Sequence, residues 1–212
     1  MKMLKTSINV SVAVLALASL GTVQANVITG DLWRVPEAVT FNAIPANVPA
    51  TAPDATFQVN SPINFSGTNV DIQTWLTSGG AFNIIENTAG TLAAQMDDNV
   101  TGSIFQFTGF VSVTTGETFT VTHDDGLTLI IGGLDLGFNP GPTAPITSVA
   151  TYTGPSGNFP FTLVYAECCE GPAVLQVDLP FSDIPTAPEP ASLALLGVAL
   201  AGMGCARRRK SS

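Results

Sequence analysis

The chain has almost no positive charge outside its two ends. Six of its seven basic residues lie in the terminal segments, namely Lys2, Lys5, Arg207, Arg208, Arg209 and Lys210. Between residues 26 and 186, Arg34 stands against 15 aspartates and glutamates, which gives this segment a net charge of −14. Such a segment repels nucleic acid and anionic lipid, so we expect no nucleic-acid partner. The excess of carboxylates suits hard divalent cations such as Ca²⁺, although solubility alone would also account for it.

The sequence also lacks the common patterns of catalytic and zinc sites. It contains no Gly-x-Ser-x-Gly segment and no zinc-type cysteine spacing, and its only histidine, His123, would have to serve any serine triad alone. A carboxylate pair for glycoside hydrolysis would leave no sequence signature, because the separation of the two groups depends on the fold. We therefore expect a protein that is not an enzyme, with a glycoside-acting enzyme as the least favoured function.

The first 25 residues have the pattern of a secretory signal peptide. Lys2 and Lys5 precede an apolar run over 10–20, and Val23-Gln24-Ala25 supplies the small residues expected around a cleavage site. The run is shorter than the roughly 17–25 residues of a spanning helix. We predict a signal helix that signal peptidase removes after Ala25. The protein is therefore expected to be exported, with its folded domain over residues 26–183.

The C-terminal segment, residues 184–212, combines three features in a fixed order. Pro188-Glu189-Pro190 precedes an apolar run over 191–206, and Arg207-Arg208-Arg209 follows the run. Basic residues after a short apolar segment resist translocation, so we predict an apolar helix held transiently in the inner membrane. The order resembles the PEP-CTERM sorting tail of Gram-negative bacteria. The resemblance implies that an exosortase recognises and cuts the tail near the Pro-Glu-Pro motif and that the protein reaches the cell surface or extracellular matrix.

The segment between the two ends alternates apolar and polar residues. Phe105 and Phe107 begin a pattern that continues, after turn residues, to residue 179. Period-two alternation with frequent turns and no long helical period predicts an all-β fold, an antiparallel two-sheet β-sandwich. The Pro-rich stretch 26–55 is expected to be an extended lead-in with short edge strands. Residues 71–77 could form one helical turn or a strand.

Asp124-Asp125-Gly126 is the one segment with a candidate chemical role. Asp-Gly between two strand patterns predicts a hairpin turn, since both residues tolerate positive φ. The two carboxylates could in addition bind a metal ion. Cys168 and Cys169 are adjacent, so in an oxidising compartment they could form a vicinal disulfide or remain as separate thiols. The tryptophans, Trp33 and Trp75, could stack on sugar rings or pack in the core.

The stretch from Phe105 to Leu179 resembles the protective-antigen-type β-sandwich, which also forms the lectin head of flocculins and adhesins. The resembling segments are Phe107-Thr108-Gly109-Phe110-Val111, Gly116-Glu117-Thr118-Phe119-Thr120-Val121, Asp124-Asp125-Gly126-Leu127-Thr128-Leu129-Ile130-Ile131-Gly132-Gly133 and Phe161-Thr162-Leu163-Val164-Tyr165-Ala166-Glu167. The resemblance implies that a cis peptide joins Asp124 to Asp125 and that both carboxylates bind one Ca²⁺, which coordinates sugar hydroxyls.

The same resemblance implies further ligands from a later loop. By position this loop is either Glu167-Cys168-Cys169-Glu170-Gly171, with Glu167 and Glu170 as the candidate ligands, or residues 135–139. The Asn-bearing calcium loop of the lectins has no recognisable counterpart. Two functions therefore remain in favour: a surface or matrix protein that binds exopolysaccharide glycans through calcium, and a purely structural envelope module without a small ligand.

Overall fold

The computed structural model describes residues 27–169 and 171–182, and the predicted signal helix and C-terminal apolar helix lie outside them. The described part is an all-β, antiparallel two-sheet sandwich, which confirms the predicted fold class. Within these residues no helix has the length and apolar character needed to cross a membrane. The elements in chain order are β1 (Val27–Pro36), α1 (Glu37–Thr40), a 3₁₀ turn (Pro45–Asn47), β2 (Ala55–Asn60), β3 (Ile63–Thr68), α2 (Ile72–Ser78), β4 (Phe82–Glu86), β5 (Thr101–Val113), β6 (Thr118–Asp124), β7 (Leu127–Ile131), β8 (Leu134–Asp135), β9 (Ile146–Thr151), β10 (Gly157–Glu167), β11 (Pro172–Val177) and β12 (Phe181–Ser182).

The two sheets differ in size. The larger sheet has the strand order β4-β2-β1-β5-β10-β7-β8, with β12 added beside β5. The smaller sheet has the order β3-β11-β6-β9. The long strands β5 and β10 form the middle of the larger sheet and pair from Gly157 opposite Val113 to Glu167 opposite Ser103. This pairing places the end of β10 beside the chain segment that links the two sheets.

Aromatic side chains fill the space between the sheets. The group comprises Phe57, Phe65, Trp75, Phe105, Phe107 and Tyr165, all of them buried. Trp75 stacks on Phe65 and on Tyr165, with ring centroids 4.5 Å and 5.6 Å apart. Trp33 is also buried, in a smaller cluster with Val35 and Val164. Both tryptophans are therefore packing residues and are not available to stack on a sugar ring.

The prediction for the N-terminal stretch 26–55 was wrong. β1 is a ten-residue strand that lies between β2 and β5 inside the larger sheet. The prolines begin only at Pro36, where β1 ends, so they do not interrupt its hydrogen bonding. Gly30 lies against the ring of Phe57, where a Cβ would be 2.2 Å from the ring.

Residues 71–77 lie mostly in helix α2, which Asp71 caps by accepting a hydrogen bond from the Thr74 N–H at 2.6 Å.

The predicted hairpin at Asp124-Asp125-Gly126 is also wrong. β6 belongs to the smaller sheet and β7 to the larger one, so this segment is a corner between the two sheets. Asp124 still pairs with Val174 of β11, whereas Leu127 already pairs with Tyr165 of β10. The local Asp-Gly signal indicates that the chain turns but contains no information about which strand lies beside each arm.

Candidate functional site

The Asp124–Asp125 corner brings together groups from both sheets. The peptide bond between the two aspartates is cis, the geometry that the family resemblance implied. Both residues are only 5% exposed. Gly126 follows at a position where a Cβ would lie 2.0 Å from the carbonyl oxygen of Pro140. A side chain at this position would therefore displace the loop that covers the corner.

Two loops hold the Asp125 carboxylate. The Cys168 N–H donates to Asp125 Oδ2 at 2.9 Å, and the Thr143 N–H donates to Asp125 Oδ1 at 3.1 Å. The first donor follows β10 and the second lies between β8 and β9. Each carboxylate oxygen has a second lone pair, so these contacts fix the orientation of the group and leave it able to bind a cation.

Two buried side chains contact the backbone carbonyls of the aspartates. The Tyr165 hydroxyl of β10 contacts Asp124 O, and His123 Nδ1 of β6 lies 2.6 Å from Asp125 O. Because a carbonyl oxygen only accepts, Nδ1 carries the hydrogen and donates it. His123 Nε2 lies 3.2 Å from Ser148 Oγ of β9. His123 is fully buried, so its role here is to fix the corner.

The electrostatic setting opposes ionisation of the acids. Burial, followed by the charge of Asp125, raises the pKa of Asp124 to about 7. Burial also raises the pKa of Asp125, against the lowering effect of its backbone donors. Burial raises the pKa of Glu167 to about 10. The charge of Asp97 adds to the rise at both Asp125 and Glu167. Acidic side chains whose ionisation is opposed are thus concentrated at this end of the sandwich.

The donor set fits a hard cation. Two buried carboxylates in contact need protons, a basic partner or a metal ion. Arg34, the single basic residue between 26 and 186, is engaged elsewhere, with its guanidinium 3.7 Å from Asp98. Carboxylate oxygens are the ligands that Ca²⁺ prefers, although the ion takes six to eight oxygens in all. Asp124 and Asp125 could therefore contribute part of a calcium coordination shell.

The predicted ligand loop begins next to the pair, where the Cys168 N–H donates to Asp125. Glu167 is 2% exposed, and its Oε2 lies 2.6 Å from Tyr165 Oη. Tyr165 Oη in turn contacts the backbone carbonyl of Asp124, so Glu167 is connected to Asp124 by way of Tyr165. Glu170 lies outside the described residues, and its role as a ligand stays a prediction. The alternative loop, 135–139, packs on the corner through its backbone, since Asn139 O accepts from the Leu127 N–H at 2.9 Å.

Cys168 and Cys169 form the vicinal disulfide, one of the two alternatives left open by the sequence. Cys168 is buried and Cys169 is exposed. Both sulfur atoms lie within 4.8 Å of an Asp125 carboxylate oxygen. Because a disulfide has no thiolate, this group is not a soft-metal site. The disulfide instead lies beside Asp125. It joins Cys168, whose N–H donates to the Asp125 carboxylate, to the exposed Cys169.

Sequence reasoning missed several contributors to the corner, among them Asp97, Thr143, Ser148 and the hydrogen-bonding roles of His123, Tyr165 and the Cys168 N–H. Thr143 acts through its backbone, which leaves no trace in residue identity. Tyr165 offered a weak signal, because it lies two residues before Glu167 on a strand and therefore on the same face.

A cavity of about 20 Å³, large enough for about one water molecule, adjoins Glu167. Its lining consists of Gly67, Asn69, Val70, Gln95, Met96, Asp97, Glu167, Gly171 and Ala173.

Two solved structures share this architecture. A PA14 sugar-binding domain from an RTX adhesin aligns with a TM-score of 0.54 and 20% identity, over 74% of this chain and 91% of that one. The PA14 domain of the MpAFP antifreeze protein aligns with a TM-score of 0.50 and 17% identity, over 80% and 98% of the two chains. The sandwich has the PA14 fold. This is the protective-antigen-type β-sandwich that the sequence resembles. No curated protein matches the chain by sequence.

The C-terminal tail matches a protein-sorting motif. Residues 186–210 fit the PEP-CTERM protein-sorting motif, which confirms the interpretation of the Pro-Glu-Pro segment and the basic end. The motif implies export and exosortase sorting through the membrane to the surface. The PA14-fold domain thus precedes an export signal that delivers it outside the cytoplasm.

Proposed function

We propose that this protein is a surface-sorted, non-enzymatic carbohydrate-binding protein whose Asp124–Asp125 corner binds Ca²⁺ and, through it, glycans of the exopolysaccharide or extracellular matrix. The observation that supports it most is the buried pair of carboxylates at the corner between the sheets, in the fold of a PA14 sugar-binding domain. The segment that carries the pair has a net charge of −14, which favours a cation as the missing partner.

Asp124 and Asp125 would hold the ion, and the bound ion would supply coordination positions for sugar hydroxyls. The chain's own residues position these ligands. The N–H groups of Cys168 and Thr143 fix the Asp125 carboxylate. A bound cation would also stabilise the ionised forms of two acids whose pKa values are raised by burial. Cation binding and deprotonation of the pair are therefore coupled.

Calcium titration followed by thermal unfolding tests this proposal. We expect Ca²⁺ to raise the Tm of the wild type. At 100 times its Kd, the ion adds about 2.7 kcal/mol to the free energy of unfolding. Asp124→Asn should abolish this rise, because it removes a charged ligand while conserving size. Asp178→Asn is the matched control, since Asp178 is exposed and follows the opposite end of β11 from the corner. Equal Tm values for the wild type with Ca²⁺ and with EDTA would contradict the calcium site.

A glycan array probed with and without Ca²⁺ tests the second part of the proposal. We expect binding that needs Ca²⁺ and that Asp124→Asn removes, whereas Asp178→Asn retains it. A protein that binds Ca²⁺ but no glycan would instead be a structural module with a stabilising ion. Turnover of a panel of chromogenic glycosides would contradict the non-enzymatic role.

A further inference from the structure

Tyr165 lies between two oxygen atoms that both need a hydrogen-bond partner. Its Oη contacts the backbone carbonyl of Asp124 and lies 2.6 Å from Glu167 Oε2. All three groups are buried, with Tyr165 fully enclosed and Glu167 2% exposed. Bulk water therefore does not reach these groups, and the two contacts among them must be satisfied by their own hydrogens.

Counting hydrogens fixes the direction of these two bonds. Each contact between two oxygens needs one hydrogen, so the three groups require two in total. The Asp124 carbonyl supplies none, and the tyrosine hydroxyl supplies one. The second hydrogen must come from the Glu167 carboxyl group. Glu167 then donates to Tyr165 Oη, and Tyr165 donates to the carbonyl of Asp124.

We infer that Glu167 is a positioning residue for the Asp124–Asp125 site, acting as an uncharged hydrogen-bond donor to Tyr165 and not as a ligand of the cation. The role at the cation site rests on the proposed function, whereas the uncharged state of Glu167 does not. Burial supports this state independently, since it raises the pKa of Glu167 to about 10. The neighbouring charges of Asp125, Asp124 and Asp97 act in the same direction, and with burial they outweigh the lowering effect of the Tyr165 hydrogen bond.

Tyr165 is a rigid support for the Asp124 carbonyl. Its ring stacks on Trp75 with 4° between the planes and lies 5.9 Å from Phe105. Leu127 pairs with it from β7, directly after the corner. The hydroxyl therefore has little freedom, and it fixes the backbone plane from which the Asp124 carboxylate projects. Glu167 in turn fixes the direction in which that hydroxyl donates.

The conservative variant Glu167→Gln separates a donor from a charged ligand. The amide NH₂ can donate to Tyr165 Oη as the acid does, so we expect a Ca²⁺ Kd within about twofold of the wild type. Glu167→Ala and Tyr165→Phe break the chain of donors and should weaken Ca²⁺ binding about tenfold. Glu117→Gln is the matched control, because Glu117 precedes β6 at the end opposite the corner. Near-ultraviolet circular dichroism checks that each variant is folded.

Two results would overturn the inference. A folded Glu167→Gln variant that loses its Ca²⁺ response would show that the charge of Glu167 is needed. The second test is an infrared difference spectrum of wild type minus Glu167→Gln, recorded in EDTA at neutral pH. This spectrum should contain the carbonyl band of a protonated carboxylic acid. A carboxylate band in its place would also overturn the inference. The infrared measurement needs no Ca²⁺, so it decides the state of Glu167 even if the wild type fails to bind the ion and the proposed function falls.

Discussion

The chain contains two Asp-Asp pairs, and the structure places them in opposite settings. In the first pair, which precedes β5, Asp97 is half-buried and Asp98 is exposed. Asp98 accepts from the Thr101 N–H at 2.7 Å and from the Val100 N–H at 3.1 Å. Arg34 lies 3.7 Å from the Asp98 carboxylate. Asp124-Asp125 lies at the corner between the sheets, where both residues are buried.

The two settings shift the pKa values in opposite directions. Hydrogen bonding, led by the Thr101 N–H, lowers the pKa of Asp98, with a further contribution from Arg34. Burial raises the pKa of Asp124 to about 7. Asp98 is thus stabilised as an anion, whereas burial opposes ionisation of Asp124 and Asp125. The comparison teaches that burial without a countercharge, more than the Asp-Asp sequence itself, marks a candidate cation site.

Arg34→Met should convert the first pair into an uncompensated one. Arg34 donates to Met96 O, Ser103 Oγ and Thr101 O, each within 2.8 Å, so the variant removes an ion pair and leaves three acceptors without this donor. We expect a loss of about 3 kcal/mol in the free energy of unfolding, measured by urea denaturation. This is the largest effect predicted here, because several bonds break at once.

The single-site control is Asp98→Asn, which keeps Arg34 in place. It should cost about 1 kcal/mol, because an amide accepts hydrogen bonds from the backbone less strongly than a carboxylate. Both variants should retain the Ca²⁺-induced rise in Tm, since neither changes Asp124 or Asp125. A Ca²⁺ response that disappears in Asp98→Asn would break the comparison, because it would place the cation at the wrong aspartate pair.

The pH dependence of stability should separate the two pairs. Asp124 has a pKa near 3.8 when unfolded and about 7 when folded, so between these values the folded state holds a proton that the unfolded state has lost. In EDTA, Tm should therefore fall as the pH rises from about 5 to about 8. Saturating Ca²⁺ should flatten this decline, because the cation replaces the proton.

Variants assign that decline to its source. Asp124→Asn should reduce it without abolishing it, because Glu167 also has a raised pKa and contributes over the same range. Asp98→Asn should leave it unchanged, since the lowered pKa of Asp98 affects stability only in acid below about 4. A Tm in EDTA that stays level or rises between pH 5 and pH 8 would contradict the raised pKa values.

The fold class could be predicted from sequence, and so could the candidate acidic pair, but the pairing of the strands around that pair could not. Alternation of apolar and polar residues, as at Phe105 and Phe107, reports that a strand has one face in the core. It does not report the partner strand, so the sequence predicts edge strands in 26–55, where β1 lies inside the sheet, and a hairpin at Asp124-Asp125-Gly126, where the chain changes sheets. Both errors concern pairing between distant segments, which depends on the packing of the whole sandwich.

The same reasoning explains which parts of the site were missed. Asp124 and Asp125 stand out as candidates because carboxylates in an Asp-Asp-Gly segment resemble a known pattern. The donors to Asp125 are backbone N–H groups of Cys168 and Thr143, and every residue except proline carries such a group. Their contribution follows from loop placement alone, so no residue type in the sequence could have identified them.

The vicinal disulfide provides the smallest predicted effect on stability and a selective effect on the corner. Cys168 and Cys169 close a ring of two adjacent residues, which removes little entropy from the unfolded chain. Reduction should therefore lower the free energy of unfolding by less than about 1 kcal/mol. It should weaken Ca²⁺ binding a few-fold, because the Cys168 N–H that donates to Asp125 is then held less firmly.

The measurement compares calcium titrations of oxidised and phosphine-reduced protein in a Cys205→Ser background, which removes the third cysteine. The double variant Cys168→Ser/Cys169→Ser should behave like the reduced protein. Backbone amide resonances of Thr114 and Thr115, which donate to Glu117 and Ser156 beyond the opposite end of β5 from Glu167, serve as the internal reference and should not move. Identical Ca²⁺ affinity in both redox states would show that backbone contacts alone suffice to hold Asp125, and the disulfide would then have no part in the contrast between the two aspartate pairs.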